Sequence, residues 1–315
     1  MVNIEVLLEV IGGNKMMDVV VIGGGPAGMS AALVVGRGKK QVLLIDEEKP
    51  RNAVTHASHA FLTQDGIKPE DFRDKGRKDL LKYPTISIKT DKVLSVEQIE
   101  EGSFKVTVES GENITTKNVV LATGLKEQLP DVKEIENYYG RSIFSCPFCD
   151  GWEMKDQPLI LITESTVGLH SAKLLKNWTD DLIIATNGNE VFDADQKKLL
   201  EKNQIRLIEE RIVELEGTDG ELQGIIFESG EKIERSGGFC TTLLDKHFSF
   251  IDSLGIELTE AGFVVTDSLG RTNIKGIYAA GEITGPSQLI VSASQGHMAG
   301  IGIINENSEA AFYGM

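Results

Sequence analysis

The chain has 315 residues, 41% apolar and 25% charged, with a formal net charge of −16. Such a length holds about two domains of roughly 150 residues each, and the composition is that of an ordinary globular protein. The acidic balance excludes nucleic acid and an anionic membrane surface, both of which require a basic face, and no apolar run approaches the roughly 20 residues of a bilayer span.

Residues 1–15 contain Glu5 and Glu9 and lack the basic start of a secretory signal. Residues 1–16 are therefore expected to be a non-structural extension, with translation starting at Met16 or Met17, and the protein is expected to be cytoplasmic.

Asp18 to Ile22 reads as a short buried strand. Gly23-Gly24-Gly25-Pro26-Ala27-Gly28 follows, then a helical run from Met29 to Gly36. This is a dinucleotide fingerprint: Gly23 for the tight turn, Gly25 for backbone approach to a pyrophosphate, Gly28 for packing of helix on strand. The pyrophosphate then rests on the amides of the helix N-terminus, beside Pro26 and Ala27. A second strand, Gln41 to Ile45, ends at Asp46, an acid placed to hold ribose hydroxyls. Asp46 indicates an adenosine ribose without a 2′-phosphate, so FAD or NAD rather than NADP. Glu47 is counted beside it, although a solvated neighbour is its plainer reading.

Lys49 to Gly66 is polar and without periodicity, and contains Arg51, Asn52, His56, His59, Phe61 and Asp65. It reads equally as a surface connection or as a lid near a flavin, with His56 or His59 donating protons. Pro69 to Lys82 is expected to be an amphipathic helix. The alternation from Ile86 to Val120 indicates a small antiparallel sheet. Asn118 to Gly124 is a strand ending in Ala122-Thr123-Gly124, small enough for a ligand to approach its backbone. Lys126 to Tyr139 reads as a linker.

Cys146-Pro147-Phe148-Cys149-Asp150-Gly151-Trp152 is the chemical centre of the chain. The only other cysteine is Cys240, and three are too few for a disulfide scaffold or a four-cysteine zinc site. A Cys-x-x-Cys frame lowers a thiol pKa well below its free value of about 8.5, so the pair reads as redox-active ahead of a metal site completed by Cys240 or a histidine; no metal is expected. Cys240 reads as core packing.

Gln157 to Gly188 begins a second βαβ pattern: strand Pro158 to Ile162, helix Gly168 to Trp178, strand Asp181 to Ala185. A nucleotide site needs glycines directly after Ile162, and the sequence offers Thr163-Glu164-Ser165-Thr166-Val167. Glu164 would repel a pyrophosphate, and Thr186-Asn187-Gly188 brings no arginine for a 2′-phosphate. Beyond it come a helix over Phe192 to Asn203, a strand over Ile205 to Glu209, a hairpin turning near Thr218-Asp219-Gly220, and a helix over Lys246 to Gly255. Gly262 to Asp267 and Gly276 to Glu282 read as strands, the second ending in Gly281-Glu282. Pro286 to Ile304 starts a small-residue helix, where Ser287 and Gln288 can face a flavin ring.

These motifs, GGGPAG, Ala122-Thr123-Gly124, CPFCDG and Tyr278-Ala279-Ala280-Gly281-Glu282, come in the order seen in the thioredoxin-reductase-like class II pyridine nucleotide-disulfide oxidoreductases, which the chain resembles from about Met17 to Ile304. The Asp-Gly-Trp after the cysteines is especially similar to the branch containing gliotoxin- and holomycin-type dithiol oxidases. The resemblance implies an α/β fold of two Rossmann-like, three-layer ββα domains, the second inserted into the first. Residues 17–126 and 239–315 would bind FAD, and residues 127–238 would form the inserted NAD(P)-type domain carrying the Cys-x-x-Cys. It also implies a homodimer. Two departures stand out: the last motif usually ends Gly-Asp, here Gly281-Glu282, and the NADPH fingerprint is missing.

By resemblance Cys149 faces the flavin, Cys146 exchanges with substrate and Asp150 relays protons. Gly23, Gly25, Pro26, Ala27, Gly28, Asp46, Glu47, Thr123, Gly124, Gly281, Glu282, Ser287 and Gln288 form the expected FAD-binding set. The expected function is an FAD-dependent thiol-disulfide oxidoreductase acting on a thioredoxin-like protein or a small dithiol or disulfide. Its electron donor is then NADPH, against which the lost fingerprint counts, or a non-nicotinamide carrier. The alternatives are a dithiol oxidase passing electrons to oxygen and a non-catalytic flavin redox sensor.

Overall fold

The structure is a computed structural model that describes residues 16–100, 102–245 and 249–314. The expected extension, apart from Met16, and the first residues of the expected helix from Lys246 lie outside the described residues. The described residues divide into two compact units, residues 16–50, 70–125 and 249–314 in one and residues 51–69 and 126–245 in the other.

The first unit is built on a seven-stranded sheet. Its parallel part runs through β3 (Ile86–Thr90), β2 (Val42–Asp46), β1 (Met17–Ile22) and β6 (Asn113–Leu121). The edge of β6 is shared: its first half takes the antiparallel hairpin of β4 (Val93–Glu100) and β5 (Ser103–Val108), and its second half takes β17 (Ile277–Ala279) in parallel. Alternation over Ile86 to Val120 therefore covers two geometries, because β3 joins the parallel sheet beside β2.

Both faces of β1 are buried: Val20 and Ile22 enter one core cluster, Val19 and Val21 the other. This is why the strand reads as an unbroken apolar run, as strands of covered parallel sheets do. Helices α1 (Pro26–Arg37) and α7 (Leu289–Tyr313) pack on one face; α2 (Pro69–Leu80) begins at a proline, whose fixed φ suits a first helical turn. Gly262 to Asp267 is not a strand. Val264 forms only a single bridge with Leu258, and the amides of Val264 and Val265 donate to Ile283 and Glu257, so no ladder develops.

The second unit has a five-stranded parallel sheet in the order β11 (Arg206–Ile208), β10 (Leu182–Ala185), β9 (Leu159–Ile162), β15 (Gly237–Cys240), β8 (Ile143–Phe144). Helix α4 (Val167–Leu175) connects β9 to β10, and α5 (Ala194–Lys202) precedes β11 behind a capping box formed by Asp193 and Gln196. A three-stranded antiparallel sheet, β12 (Ile212–Thr218), β13 (Glu221–Phe227) and β14 (Lys232–Glu234), turns at Asp219-Gly220. β7 (Lys126–Gln128) pairs antiparallel with β16 (Leu243–Asp245).

The unit boundaries differ from those read in the sequence. Phe239 and Cys240 belong to β15, hydrogen-bonded to β9, so the inserted unit runs to Asp245. Residues 51–69 cluster with it as well: Arg51 bonds Glu127, and the carbonyl of Val54 lies against Gly140.

Candidate active site

Cys146 and Cys149 are joined in a disulfide, with their Cα atoms 5.3 Å apart. The local sequence builds this frame. Cys146 is the extended N-cap of a four-residue helix, α3 (Pro147–Asp150), whose first position holds the proline that needs no amide partner there. The amides of Cys149 and Asp150 donate to the carbonyl of Cys146, at 3.0 and 3.2 Å, and draw the second sulfur back toward the first. Around the pair, Phe148 and Trp152 are 61% and 67% exposed, a costly arrangement for two large aromatics unless something covers them in use.

Asp150 directly follows Cys149 at the end of α3 and is buried. Loss of hydration there, helped by the charge of Glu153, pushes its carboxyl up to about 7. Glu153 in turn meets His59 Nε2 at 3.5 Å. The histidine-bearing segment is thus placed beside the cysteine helix within the second unit; His56 is exposed. Cys240 is buried, and its thiol is held far above the usual range by burial and by the Glu127 carboxylate. Among the described residues no three His, Cys, Asp or Glu side chains converge as a metal site.

In the first unit the glycine turn has the geometry of a dinucleotide cradle. Gly23 has φ +107°, and a Cβ there would sit 2.2 Å from the carbonyl oxygen of Ala122. A Cβ on Gly28 would sit 1.9 Å from the carbonyl oxygen of Gly23, so only glycine lets α1 pack this closely on the turn. Gly25 opens onto free space. Gly28→Ala is expected to destabilise the unit by about 1–3 kcal/mol and to yield protein nearly free of bound flavin, read from the absorbance ratio of the purified protein.

Asp46 ends β2 as expected, but its Oδ2 is held by Arg73 at 2.9 Å and Arg77 at 3.3 Å, both from α2. Neither arginine was legible from sequence, where α2 showed only an amphipathic charge pattern. Thr123 Oγ1 is buried without a hydrogen-bond partner. Ser287 and Ser292 hydroxyls lie 2.6 Å apart, and Gln295 accepts from the amide of Gly281.

The second unit presents the same turn with different chemistry. Thr163, Ser165 and Gly168 stand after β9 where Gly23, Gly25 and Gly28 stand after β1, so only the last glycine is kept. The Glu164 carboxylate accepts from Asn187 Nδ2 at 2.8 Å, while Asn187 also donates to Asp131 and accepts from the amide of Ile212. Glu164 is therefore fixed in the turn. A cavity of about 950 Å³ opens at the carboxyl ends of β9 and β15, lined by Asp131, Glu134, Glu136 and Glu164 with one cation, Lys133.

This combination of two α/β units, a dinucleotide turn and a disulfide beside a raised carboxyl defines a flavin-dependent disulfide oxidoreductase of the thioredoxin-reductase-like class. The chain belongs to the pyridine nucleotide-disulphide oxidoreductase family, whose model matches residues 17–296. A solved Bacillus anthracis protein, TrxB, is 44% identical with a TM-score of 0.90, covering 94% of this chain and 99% of that one. The solved structure of HlmI is 30% identical, also with a TM-score of 0.90, over 95% of this chain and 96% of that one. A probable thioredoxin reductase of Arthroderma benhamiae is 38% identical over 185 residues, 57% of this chain and 46% of that protein. No helix of the described residues is long and apolar enough to cross a membrane.

The family implies FAD, and the first unit fits it. Thr123 Oγ1 is a buried polar atom that lacks a partner, Gly25 leaves space for a pyrophosphate, and Asp46 stands at the end of β2. In the second unit a fixed carboxylate and an acidic cavity stand where the first has its glycine cradle.

Proposed function

We propose that the protein is a dithiol oxidase: electrons enter at Cys146/Cys149 from a dithiol and leave through FAD to dioxygen. The observation that carries this reading is Glu164, locked by Asn187 in the turn where a nicotinamide nucleotide would rest its pyrophosphate. A carboxylate there opposes the phosphates that the glycine turn normally admits.

In the first step a substrate thiolate attacks Cys146 Sγ, the Cys146–Cys149 bond breaks, and a mixed disulfide forms. Asp150, neutral below about pH 7, protonates the leaving Cys149 sulfur. The second substrate thiol then displaces Cys146, giving oxidised substrate and two protein thiols. When bound, FAD would supply a two-electron acceptor for the Cys146/Cys149 dithiol that dioxygen can reoxidise. Gly23, Gly25, Pro26, Ala27 and Gly28 would hold its pyrophosphate, and Asp46 with Glu47 its ribose. Thr123, Gly124, Gly281, Glu282, Ser287 and Gln288 would serve its remaining groups. The dithiol is a thioredoxin-like protein or a small molecule, and the active form is a homodimer.

A second reading keeps the opposite direction. Fungal proteins named thioredoxin reductase align with 91–92% of this chain, which favours a reductase fed by a non-nicotinamide carrier such as ferredoxin or a flavoprotein. Anaerobic titration of the holoprotein separates these cases. The proposal expects bleaching of the flavin by dithiothreitol, none by NADPH or NADH, and oxygen consumption on admitting air. Rapid bleaching by either nicotinamide overturns it. Bleaching by dithiothreitol without oxygen consumption gives the second reading.

A further inference from the structure

We propose that Glu127 is a positioning residue of the redox pair, acting through Ser145. Its side chain is only 8% exposed, yet it gathers donors from four stretches of the second unit. Arg51 donates to Oε1 at 2.6 Å, Ser145 to the same oxygen at 3.1 Å, Thr242 to it at 3.4 Å, and Tyr139 to Oε2 at 2.5 Å. The Tyr139 hydroxyl lies a further 2.8 Å from Ser145 Oγ. A buried carboxylate this well satisfied fixes its donors, because leaving any of them unmet costs the full desolvation of that group.

Ser145 is bonded directly to Cys146, whose carbonyl receives the amides of Cys149 and Asp150. The Ser145 anchor therefore sets the carbonyl on which the short cysteine helix hangs. Its importance is greatest when the disulfide is open. Nothing covalent then holds the two sulfurs together, and the probability that they meet again depends on how firmly the segment is held. That probability is the effective molarity of the pair, which positioning raises.

The test equilibrates the full-length holoprotein with mixtures of reduced and oxidised dithiothreitol, then traps thiols with a maleimide for intact-mass analysis. Glu127→Ala is expected to lower the effective molarity about tenfold, equivalent to about 30 mV for a two-electron couple. Glu127→Gln, which keeps an acceptor oxygen for Ser145, is expected within threefold of the parent, as is the exposed neighbour Lys126→Ala. Ser145→Ala is expected to shift the equilibrium in the same direction as Glu127→Ala, and serves alone should that variant fail to fold. Equilibria within twofold of the parent for Glu127→Ala and Ser145→Ala overturn the proposal, whatever happens to the melting temperature. An equal loss in Glu127→Gln also overturns it, since charge rather than position would then be responsible.

Discussion

Cys149→Ser is expected to purify yellow, with FAD bound as in the parent, and to turn over dithiols at least about a thousandfold more slowly. The cysteines lie in the second unit, whereas the dinucleotide turn, Asp46 and Thr123 lie in the first, so removing a sulfur leaves the residues proposed to hold FAD intact. The reaction is lost because Cys146 alone offers no S–S bond for a substrate thiolate to break, and removal of a covalent participant characteristically costs several orders of magnitude. Cys146→Ser should lose turnover to the same extent. Oxygen consumption with dithiothreitol, normalised to flavin absorbance, reads both. Turnover within tenfold of the parent in either variant would sink the assignment of this pair as the point of electron entry.

Asp150→Asn is expected to lower turnover by about two to three orders of magnitude, the usual contribution of a positioned proton donor. The pH profile supplies the more diagnostic result. With Asp150 in its proposed role, the exchange step needs the neutral carboxyl, so the parent's rate is expected to fall as pH rises through about 7. The asparagine variant should lose that limb.

Stability should fall with rising pH as activity does. The folded carboxyl holds its proton to about pH 7, whereas an unfolded one releases it near the ordinary value of 3.8. The folded state therefore binds the extra proton between these values, and stability declines as pH rises across that window. The loss is complete above about 7 and reaches about 4 kcal/mol at most. Asparagine removes this penalty, so at pH 8 the variant should melt several degrees above the parent, and at pH 4 the two should coincide. A parent whose melting temperature is flat from pH 4 to 8 would show that Asp150 is not raised.

The elements that carry chemistry were largely legible because they depend on short-range pattern. The strand, glycines and acid of β1, α1 and β2 announce themselves by backbone demands that only glycine meets, and the Cys-x-x-Cys by its spacing. The altered nucleotide turn was legible for the same reason, since Thr163 and Ser165 stand where glycines are needed. What the sequence hid was long-range. Glu127 reads as part of a linker, and nothing local says that Arg51, Tyr139, Ser145 and Thr242 converge on it. Arg73 and Arg77 look like solvated helix charges until α2 is placed beside the end of β2. The polar stretch 51–69 has no periodicity to say which unit it joins, and its placement with the cysteines rests on Arg51 meeting Glu127 and His59 meeting Glu153. Gly262 to Asp267 reads as a strand from its strand-prone Phe263, Val264 and Val265, yet the amides of Val264 and Val265 bond outward and no ladder forms.

The three-residue separation of Cys146 and Cys149 bears on how the molecule survives its own chemistry. A cross-link that closes so small a ring restricts the unfolded chain very little, by about 2 kcal/mol against almost 5 for a ring of a hundred residues. The architecture of each unit rests instead on its sheets and apolar clusters. Opening the bond therefore withdraws less than half of what a cross-link closing a hundred-residue ring would withdraw. The protein can therefore pass between its oxidised and reduced forms at a smaller cost in folding stability than a cross-link joining distant parts of the chain would impose.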